Sequence, residues 1–238
     1  MIRFSQIIFP LSGKPGDQIM KFAAPYVSQI WALLEDLAFR HTKKLMDIAS
    51  AHGEIKYIVD VGACVGTMAI PFTTIFLSAK VLAIEPSKYN YGFLQFNCKN
   101  LPNVETLKIA VSNKKGMIHI ANPNLAQRNR LDYQVNTGLI SIYGNSDVFK
   151  EEVAVDTLDN VANEKVDWLK IDVEGHEHAV LEGATRILSE DKPIFQVEMR
   201  ADNQSMGPYT ISGLLELIGN ANYIAAGQMR GDIIFAPK

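Results

Sequence analysis

Short apolar runs alternate with helical patterns along most of the chain. In these runs β-branched and aliphatic residues follow one another, which is typical of buried strands. Such strand patterns cover residues 56–60, 80–85, 104–111, 116–121, 152–155, 166–171, 193–199, 223–226 and 232–235. Apolar residues at helical spacing predict helices over residues 25–51, 67–77, 87–99, 178–189 and 211–218. The alternation predicts an α/β fold with a doubly wound, mostly parallel, Rossmann-like sheet.

The N-terminal part is predicted to be an addition to this sheet. Residues 1–21 are punctuated by proline and glycine, which predicts irregular structure. Pro25 suits the first turn of the helix that follows, and Gly53 suits its end. We therefore expect an N-terminal extension and helical cover at residues 1–53 and the main domain at residues 54–238.

Composition narrows the functional classes. Hydrophobic residues make up 47% of the 238 residues and charged residues 21%, as in ordinary globular proteins. The net charge of −3 argues against a nucleic-acid partner, because few phosphate contacts could form. Cys64 and Cys98 belong to no C-x-x-C pattern, which favours a reducing compartment. No apolar run reaches membrane-spanning length, so the expected location is the cytoplasm.

The loop between the first sheet strand and the next helix carries the most chemical information. The strand ends at Asp60, and Gly62 and Gly66 follow, with Ala63 and Cys64 between them. Glycine lacks a Cβ and lets a ligand approach the backbone, and the helix N-terminus points free N–H groups at the same place. The loop lacks the dinucleotide fingerprint G-x-G-x-x-G, and its carboxylate would repel a phosphate. The pattern therefore favours a ligand that carries an ammonium group.

Four carboxylates are expected around one crevice. Asp60, Glu85, Asp172 and Glu198 each fall near the end of a predicted strand, and open α/β sheets bind ligands beyond the carboxyl ends of their strands. Repulsion among them would raise some of their pKa values unless a cation lies between them. S-adenosylmethionine (SAM) would supply two positive charges, and a metal ion is the competing explanation. The acidic and histidine residues at 172–178 resemble no standard metal site, so no metal ligands are assigned.

Several motifs resemble the FkbM family of SAM-dependent, class I O-methyltransferases. The resemblance extends from about residue 55 to residue 198 and is carried by residues 59–63, 66, 83–86, 94–97, 155–159 and 169–177. It implies the class I methyltransferase fold and methyl transfer from SAM to a hydroxyl of a small molecule or sugar. One departure is Cys64, where the family usually has asparagine.

Residue roles follow from the motifs and this resemblance. The methionine part of SAM is expected at Asp60 and the loop backbone, and the ribose at Glu85, since acidic residues accept hydrogen bonds from ribose hydroxyls in Rossmann-type sites. A base would assist the in-line attack of the acceptor oxygen. The expected cofactor-binding residues are Asp60, Gly62, Ala63, Cys64, Gly66, Glu85, Pro86, Ala110 and Asp172. The candidate bases are Asp172 first, then Glu174, His176 and Glu198.

Other interpretations of the same residues remain open at this point. A SAM-binding module without catalysis would need Asp60 and Glu85 but neither Asp172 nor Glu174. A nicotinamide-dependent oxidoreductase would share the βαβ unit, although the middle glycine of its fingerprint is absent. The acceptor pocket is expected at residues 122–150 and at the N-terminal cover.

Overall fold

The computed structural model describes residues 5–10, 19–24, 42–121, 150–199, 210–229 and 231–238. Two predicted features lie outside these residues, namely the part of the N-terminal helix at 25–41 and most of the expected acceptor segment, at 122–149. In chain order the elements are β1 (Ser5–Pro10), β2 (Ile19–Ala24), α1 (Thr42–His52), β3 (Tyr57–Val61), α2 (Ala69–Ile75), β4 (Lys80–Ile84), α3 (Lys88–Cys98), β5 (Val104–Leu107), β6 (Ala110–Val111), β7 (Gly116–Ala121), β8 (Lys150–Asp156), α4 (Leu158–Val161), β9 (Trp168–Ile171), α5 (Glu177–Glu182), a π-helix (Ile187–Asp191), β10 (Ile194–Glu198), α6 (Ile211–Asn220), β11 (Tyr223–Met229) and β12 (Asp232–Pro237).

A seven-stranded sheet organises the described part of the chain. Its strand order is β11-β12-β10-β9-β3-β4-β5. The neighbouring pairs from β10 to β5 are parallel, and β12 runs antiparallel to both β10 and β11. The predicted doubly wound, mostly parallel sheet is confirmed. Because β3, β4, β9 and β10 run in one direction, their carboxyl ends share one edge.

Hydrophobic clusters cover both faces of this sheet. On one face Ile58, Trp168 and Ile194 pack with residues of α1, α2 and α3. On the other face Val59, Leu169 and Phe195 pack with residues of α4, α5 and α6. Successive strand residues point to opposite faces. The continuous apolar runs therefore supply both clusters at once, as buried parallel strands require.

The prediction of irregular structure at residues 1–21 is wrong for part of that segment. β1 and β2 pair antiparallel, with Ser5 opposite Ala24 and Pro10 opposite Ile19. Pro10 ends β1, and Gly13, Pro15 and Gly16 lie between the two apolar runs in the sequence, so these signals separate two strands instead of marking one irregular stretch. β2 lies against α3. Downstream, α1 ends at His52, and Gly53 follows with φ +115°, as predicted for a helix stop.

The single strand predicted over residues 104–111 is divided between two sheets. β5 belongs to the large sheet, whereas β6 pairs with β8 in a three-stranded sheet of order β6-β8-β7. The break comes at residues 108–109, where Lys108 forms an ion pair with Glu151 of β8, Nζ to Oε1 2.8 Å. Apolar periodicity continues through the break, so it could not show the change of sheet.

The helix predicted over residues 178–189 is also interrupted. α5 ends at Glu182, and a π-helix begins at Ile187. A Cβ on Gly183 would lie 2.1 Å from the Ser112 carbonyl oxygen, so a glycine is required where this turn contacts the chain after β6. Among the described helices, none combines the length and the apolar character needed to cross a bilayer.

Candidate functional site

The loop after β3 depends on left-handed backbone conformations. Gly62, Cys64 and Gly66 have φ angles of +81°, +52° and +96°. The Gly62 amide donates a hydrogen bond to the Ile84 carbonyl oxygen, 2.9 Å away, at the end of β4. A Cβ on Gly62 would lie 1.8 Å from the Asp172 carbonyl oxygen. Glycine is therefore required there, because the loop passes directly against the end of β9.

Glu85 ties this loop to the end of β4. Its Oε2 accepts a hydrogen bond from the Cys64 amide at 3.0 Å, and its Oε1 accepts from the Ser87 amide at 3.0 Å and from Asn90 Nδ2 at 3.4 Å. The side chain is buried, and burial raises its pKa to about 8 although these three donors act in the opposite direction. A carboxylate oxygen has more than one acceptor site, so these bonds are compatible with further donors from a ligand.

Two segments that carry the family resemblance have structural roles. Asn97 Nδ2 donates to the Val65 carbonyl oxygen at 2.7 Å and so holds the loop against α3. Asp159 accepts hydrogen bonds from the Arg186 and Ile187 amides, at 2.8 and 3.0 Å, at the start of the π-helix. These polar residues fix the elements that surround the candidate site.

Asp60 is buried in β3 beside the loop. Within the described part of the chain, neither carboxylate oxygen has a hydrogen-bond partner of normal geometry. The nearest cation is the Lys170 ammonium, 4.0 Å from Oδ1. Burial raises the pKa of Asp60 to about 6, Lys170 opposes that rise, and Asp172 adds to it. The Ala69 backbone amide lowers the pKa of Asp60 less than Lys170 does. A buried carboxylate without a well-formed hydrogen bond is energetically costly, so this site fits a positively charged donor such as the ammonium of SAM.

A row of polar side chains crosses the sheet just inside its carboxyl edge. Asp60 of β3 is the register partner of Lys170 of β9, which is in turn the partner of Gln196 of β10. Gln196 Nε2 donates to Asp232 Oδ2 at 2.5 Å, which extends the row to β12. Register partners in parallel strands point to the same face. The row therefore lies between the apolar layer that contains Trp168 and the open edge.

Three further carboxylates gather at the edge itself. Asp172, Glu174 and Glu198 each offer an oxygen, and these atoms all lie within 4.8 Å of one another. Asp172 also accepts a hydrogen bond from Lys170 Nζ at 2.9 Å. Such a cluster suits a cationic ligand, and hard metal ions also bind carboxylate oxygens. Acidic groups without another indication do not define a metal site, and none is assigned.

Glu174 lies in the turn after β9 and has an unusual backbone conformation. Glu174 has φ +54°, and Gly175 has φ +97°. The Glu177 side chain stabilises the turn, because its Oε1 accepts hydrogen bonds from the Val173 and Gly175 amides, both at 3.1 Å. Burial raises the pKa of Glu177. A non-glycine residue in the left-handed region is strained, and such strain is frequent at functional sites.

His176 faces a different neighbour. Its Nε2 lies 2.9 Å from Ser112 Oγ, and both side chains are buried. Burial lowers the pKa of His176 to about 4, although Glu182 acts to raise it. The imidazole is therefore neutral at pH 7 and joins the start of α5 to the chain after β6.

The two remaining sequence-predicted positions flank the site. Pro86 is partly exposed directly after Glu85 and precedes Ser87, the first residue before α3. Ala110 is buried in β6 of the three-stranded sheet, opposite Val155. Its predicted position at the end of a strand of the large sheet is wrong, because that strand stops at Leu107.

Sequence reasoning assigned no role to several polar residues that support the site. A charged or amide side chain inside an otherwise apolar strand could have singled out Lys170 and Gln196. Glu177 follows the turn within one motif and could have been suspected as a support of its backbone. Ser112 and Asp232 lie far along the chain from their partners, and no local pattern indicates them.

The comparisons with known proteins agree with this architecture. The model of the methyltransferase FkbM domain matches residues 60–225. A methyltransferase FkbM from Methylobacillus flagellatus KT is similar in structure, with a TM-score of 0.50 and 17% identity over 76% of this chain. This chain spans 43% of the length of that protein. No curated protein matches the chain significantly.

Two other solved structures are similar to this chain at a lower level. TYW2 from M. jannaschii, in complex with AdoMet, is 15% identical with a TM-score of 0.47, and the match covers 99% of this chain and 88% of that one. A SAM-dependent methyltransferase from Aquifex aeolicus is 15% identical with a TM-score of 0.43, over 82% of this chain and 88% of that one. Because the FkbM domain model covers well over half of the sequence, the chain belongs to the FkbM methyltransferase family.

Proposed function

We propose that the protein transfers the methyl group of SAM to a hydroxyl of a small molecule or sugar. The observation that carries this proposal is the buried Asp60 carboxylate, which has no hydrogen-bond partner of normal geometry in the described structure and lies beside a loop of left-handed residues. When bound, SAM supplies an electrophilic methyl group on a positively charged sulfur. The protein's own contribution is then to bind, to orient and to accept a proton.

The cofactor is assigned to the loop and its two flanking carboxylates. Asp60 and the backbone at residues 62–66 bind the methionine part, and Glu85 binds the ribose. Glu85 is suited to this task because its hydrogen bond to the Cys64 amide already fixes its position beside the loop. Ala110 is the proposed neighbour of the adenine, and Pro86 is a further proposed cofactor-binding residue directly after Glu85. The negative charge of the site favours SAM, which has an ammonium and a sulfonium, over a phosphate-containing dinucleotide.

The acceptor is assigned to the acidic cluster at the edge of the sheet. Asp172 and Glu174 are the proposed proton acceptors for the attacking hydroxyl, and Glu198 lies within reach of both. His176 is the weakest of the candidate bases, because its Nε2 is bonded to Ser112 and burial lowers its pKa to about 4. The chain's positioning of the acceptor oxygen behind the methyl group supplies the larger part of the acceleration.

A methyl-transfer assay tests this function. SAM labelled in its methyl group is incubated with a panel of sugars and other small hydroxyl compounds, and labelled product is measured for the wild type, Asp172→Asn and Glu174→Gln. We expect a hydroxyl acceptor whose methylation falls about 10²-fold or more in the variant that lacks the base. The control Glu164→Gln alters an exposed ion pair with Lys80 and should retain full activity. Methylation of nitrogen or carbon acceptors alone would refute the hydroxyl assignment.

A further inference from the structure

Lys170 lies at the centre of the polar row with its ammonium buried among carboxylates. Its side chain is 5% exposed, and Nζ is 2.9 Å from Asp172 Oδ2 and 4.0 Å from Asp60 Oδ1. Asp232 of β12 also acts on it electrostatically. Lysine is rarely buried unless it is paired, and the positive charge of this ammonium is paired with these carboxylates.

Lys170 lies between apolar neighbours on one side and carboxylates on the other. Its neighbours one step deeper in the sheet are apolar, Trp168 in its own strand and Ile194 in β10. Its neighbours one step nearer the edge are Asp172 and Glu198. Lys170 therefore separates the hydrophobic core from the acidic edge.

The ionisation of Asp60 depends strongly on Lys170. The charged groups that act on it are Lys170 and Asp172 from β9 and Asp232 from β12, and it interacts in turn with Glu85 after β4. Of these four, only Lys170 is positive. Without it, Asp60 would be a buried carboxylate surrounded by other carboxylates, which favours proton uptake.

Among the described residues, the groups that α2 and α3 present to Asp60 are not cations. α2 presents the Ala69 backbone amide to Asp60, which lowers its pKa less than Lys170 does. α3 presents the buried Cys98 thiol, whose pKa rises to about 12 through burial and the nearby Asp60. Both are neutral groups at pH 7.

We propose that Lys170 is a positioning residue of the cofactor site, the internal cation that holds the Asp60 and Asp172 carboxylates in place as anions ready for a cationic ligand. Identifying that ligand as SAM rests on the proposed function. The charge role itself can be measured without a ligand. Lys170 touches neither reacting atom in this account and acts through the two carboxylates.

The first experiment follows the free energy of unfolding of the ligand-free protein against pH. An acid whose pKa is raised on folding stabilises the fold at pH values below its unfolded pKa, and that stabilisation is lost as the pH rises through its folded pKa. The difference between the wild type and Asp60→Asn should therefore change between about pH 4 and about pH 6 and level off above pH 6. In the Lys170→Met background, this difference should level off at least about one pH unit higher, whereas Lys170→Arg should keep the wild-type profile.

The second experiment measures SAM binding by calorimetry at pH 7.5 in two buffers of different ionisation enthalpy. In the wild type Asp60 should contribute little proton exchange, because it is already ionised at this pH. Lys170→Met should bind more weakly and release more protons than the wild type, since the protonated fraction of Asp60 must then ionise on binding. S-adenosylhomocysteine also carries the ammonium group and should show the same difference between the wild type and Lys170→Met. Methylthioadenosine lacks the ammonium group and should bind the wild type and Lys170→Met equally. Lys80→Met, which breaks an exposed ion pair, is the control.

Each outcome decides the proposal. An Asp60 profile in Lys170→Met that levels off at the same pH as in the wild type, or wild-type SAM affinity of Lys170→Met with no more proton release than in the wild type, would overturn it. If Lys170→Met does not fold, the double variant Asp60→Asn/Lys170→Met provides the test. Folding of the double variant is expected, because the unpaired Asp60 anion has been removed. A double variant as unstable as Lys170→Met would refute the charge role. If the folded wild type does not bind SAM, the proposed function fails, and the unfolding experiment still tests Lys170.

Discussion

The Glu85 carboxylate accepts a hydrogen bond from the Cys64 amide, with Oε2 and N 3.0 Å apart. This bond joins the end of β4 to the loop after β3, so the residue assigned to the ribose also shapes the loop assigned to the methionine part. The proposed cofactor site is thus a single hydrogen-bonded unit, and changes at either residue should affect both binding and stability.

The first prediction concerns the ionisation of Glu85. Because folding raises its pKa to about 8, its contribution to stability is present below its unfolded pKa and is lost as the pH rises toward 8. Glu85→Gln should remove this part of the pH dependence, and Glu85→Ala should also lower the free energy of unfolding by about 2–3 kcal/mol, because the buried Cys64 and Ser87 amides lose their acceptor. Urea unfolding between pH 5 and pH 9 measures both. Identical pH profiles for the wild type and Glu85→Gln would contradict the prediction.

The second prediction compares the same substitution at two glycines. Gly62→Ala should lower the free energy of unfolding by about 4 kcal/mol or more, because its Cβ would overlap the Asp172 carbonyl oxygen and its φ is positive. Gly92→Ala in α3 meets no atom within 4 Å and should raise it by about 0.5–1 kcal/mol through helix propensity. Thermal and urea unfolding of the two variants provide the test. A mild effect at Gly62 would show that the loop does not press against β9.

The third prediction concerns the departure from the family pattern at Cys64. Its φ of +52° lies in the left-handed region, which asparagine adopts more readily than most residues. Cys64→Asn should leave the free energy of unfolding within about 0.5 kcal/mol of the wild type, whereas the β-branched Cys64→Val should lower it by about 1–2 kcal/mol. Calorimetric titration with SAM should show binding by the asparagine variant. Equal stability of the asparagine and valine variants would argue against a left-handed conformation at this position.

The fourth prediction concerns His176. Folding lowers its pKa to about 4, so its contribution is present above its unfolded pKa of about 6.5 and is lost as the pH falls toward 4. His176→Gln should remove that acid sensitivity, which amounts to about 3 kcal/mol of the unfolding free energy. With an acceptor in hand, the rate of methyl transfer should change less than about tenfold in this variant. A rate loss of 10²-fold or more with an unchanged stability profile would instead identify His176 as a base.

Local sequence patterns predict the parallel sheet well, and they predict its polar interior poorly. Strand runs that end in Asp60 or Glu198 mark the carboxyl edge, because a parallel sheet brings such ends together. The function of Lys170 depends on register, since β3, β9 and β10 must align before its ammonium meets Asp60. The bond between His176 and Ser112 joins residues 64 positions apart, and no periodicity anticipates it.

The misread segments have a similar cause. The apolar run at residues 104–111 continues smoothly while the chain moves from the large sheet to the small one, so only strand pairing reveals the break. At the N-terminus the pairing of β1 with β2 depends on strand register, which the local glycine and proline signals do not show.

Calorimetric titration of the folded wild type and of Asp60→Ala with SAM, S-adenosylhomocysteine and NAD is the most direct test of SAM binding at Asp60. We expect the wild type to bind SAM and S-adenosylhomocysteine and to give no signal with NAD. We expect Asp60→Ala, with its fold verified by circular dichroism, to bind both at least about tenfold more weakly, because the buried anion that meets their ammonium is gone. Equal SAM affinity of the wild type and Asp60→Ala, or binding of NAD in place of SAM, would contradict it.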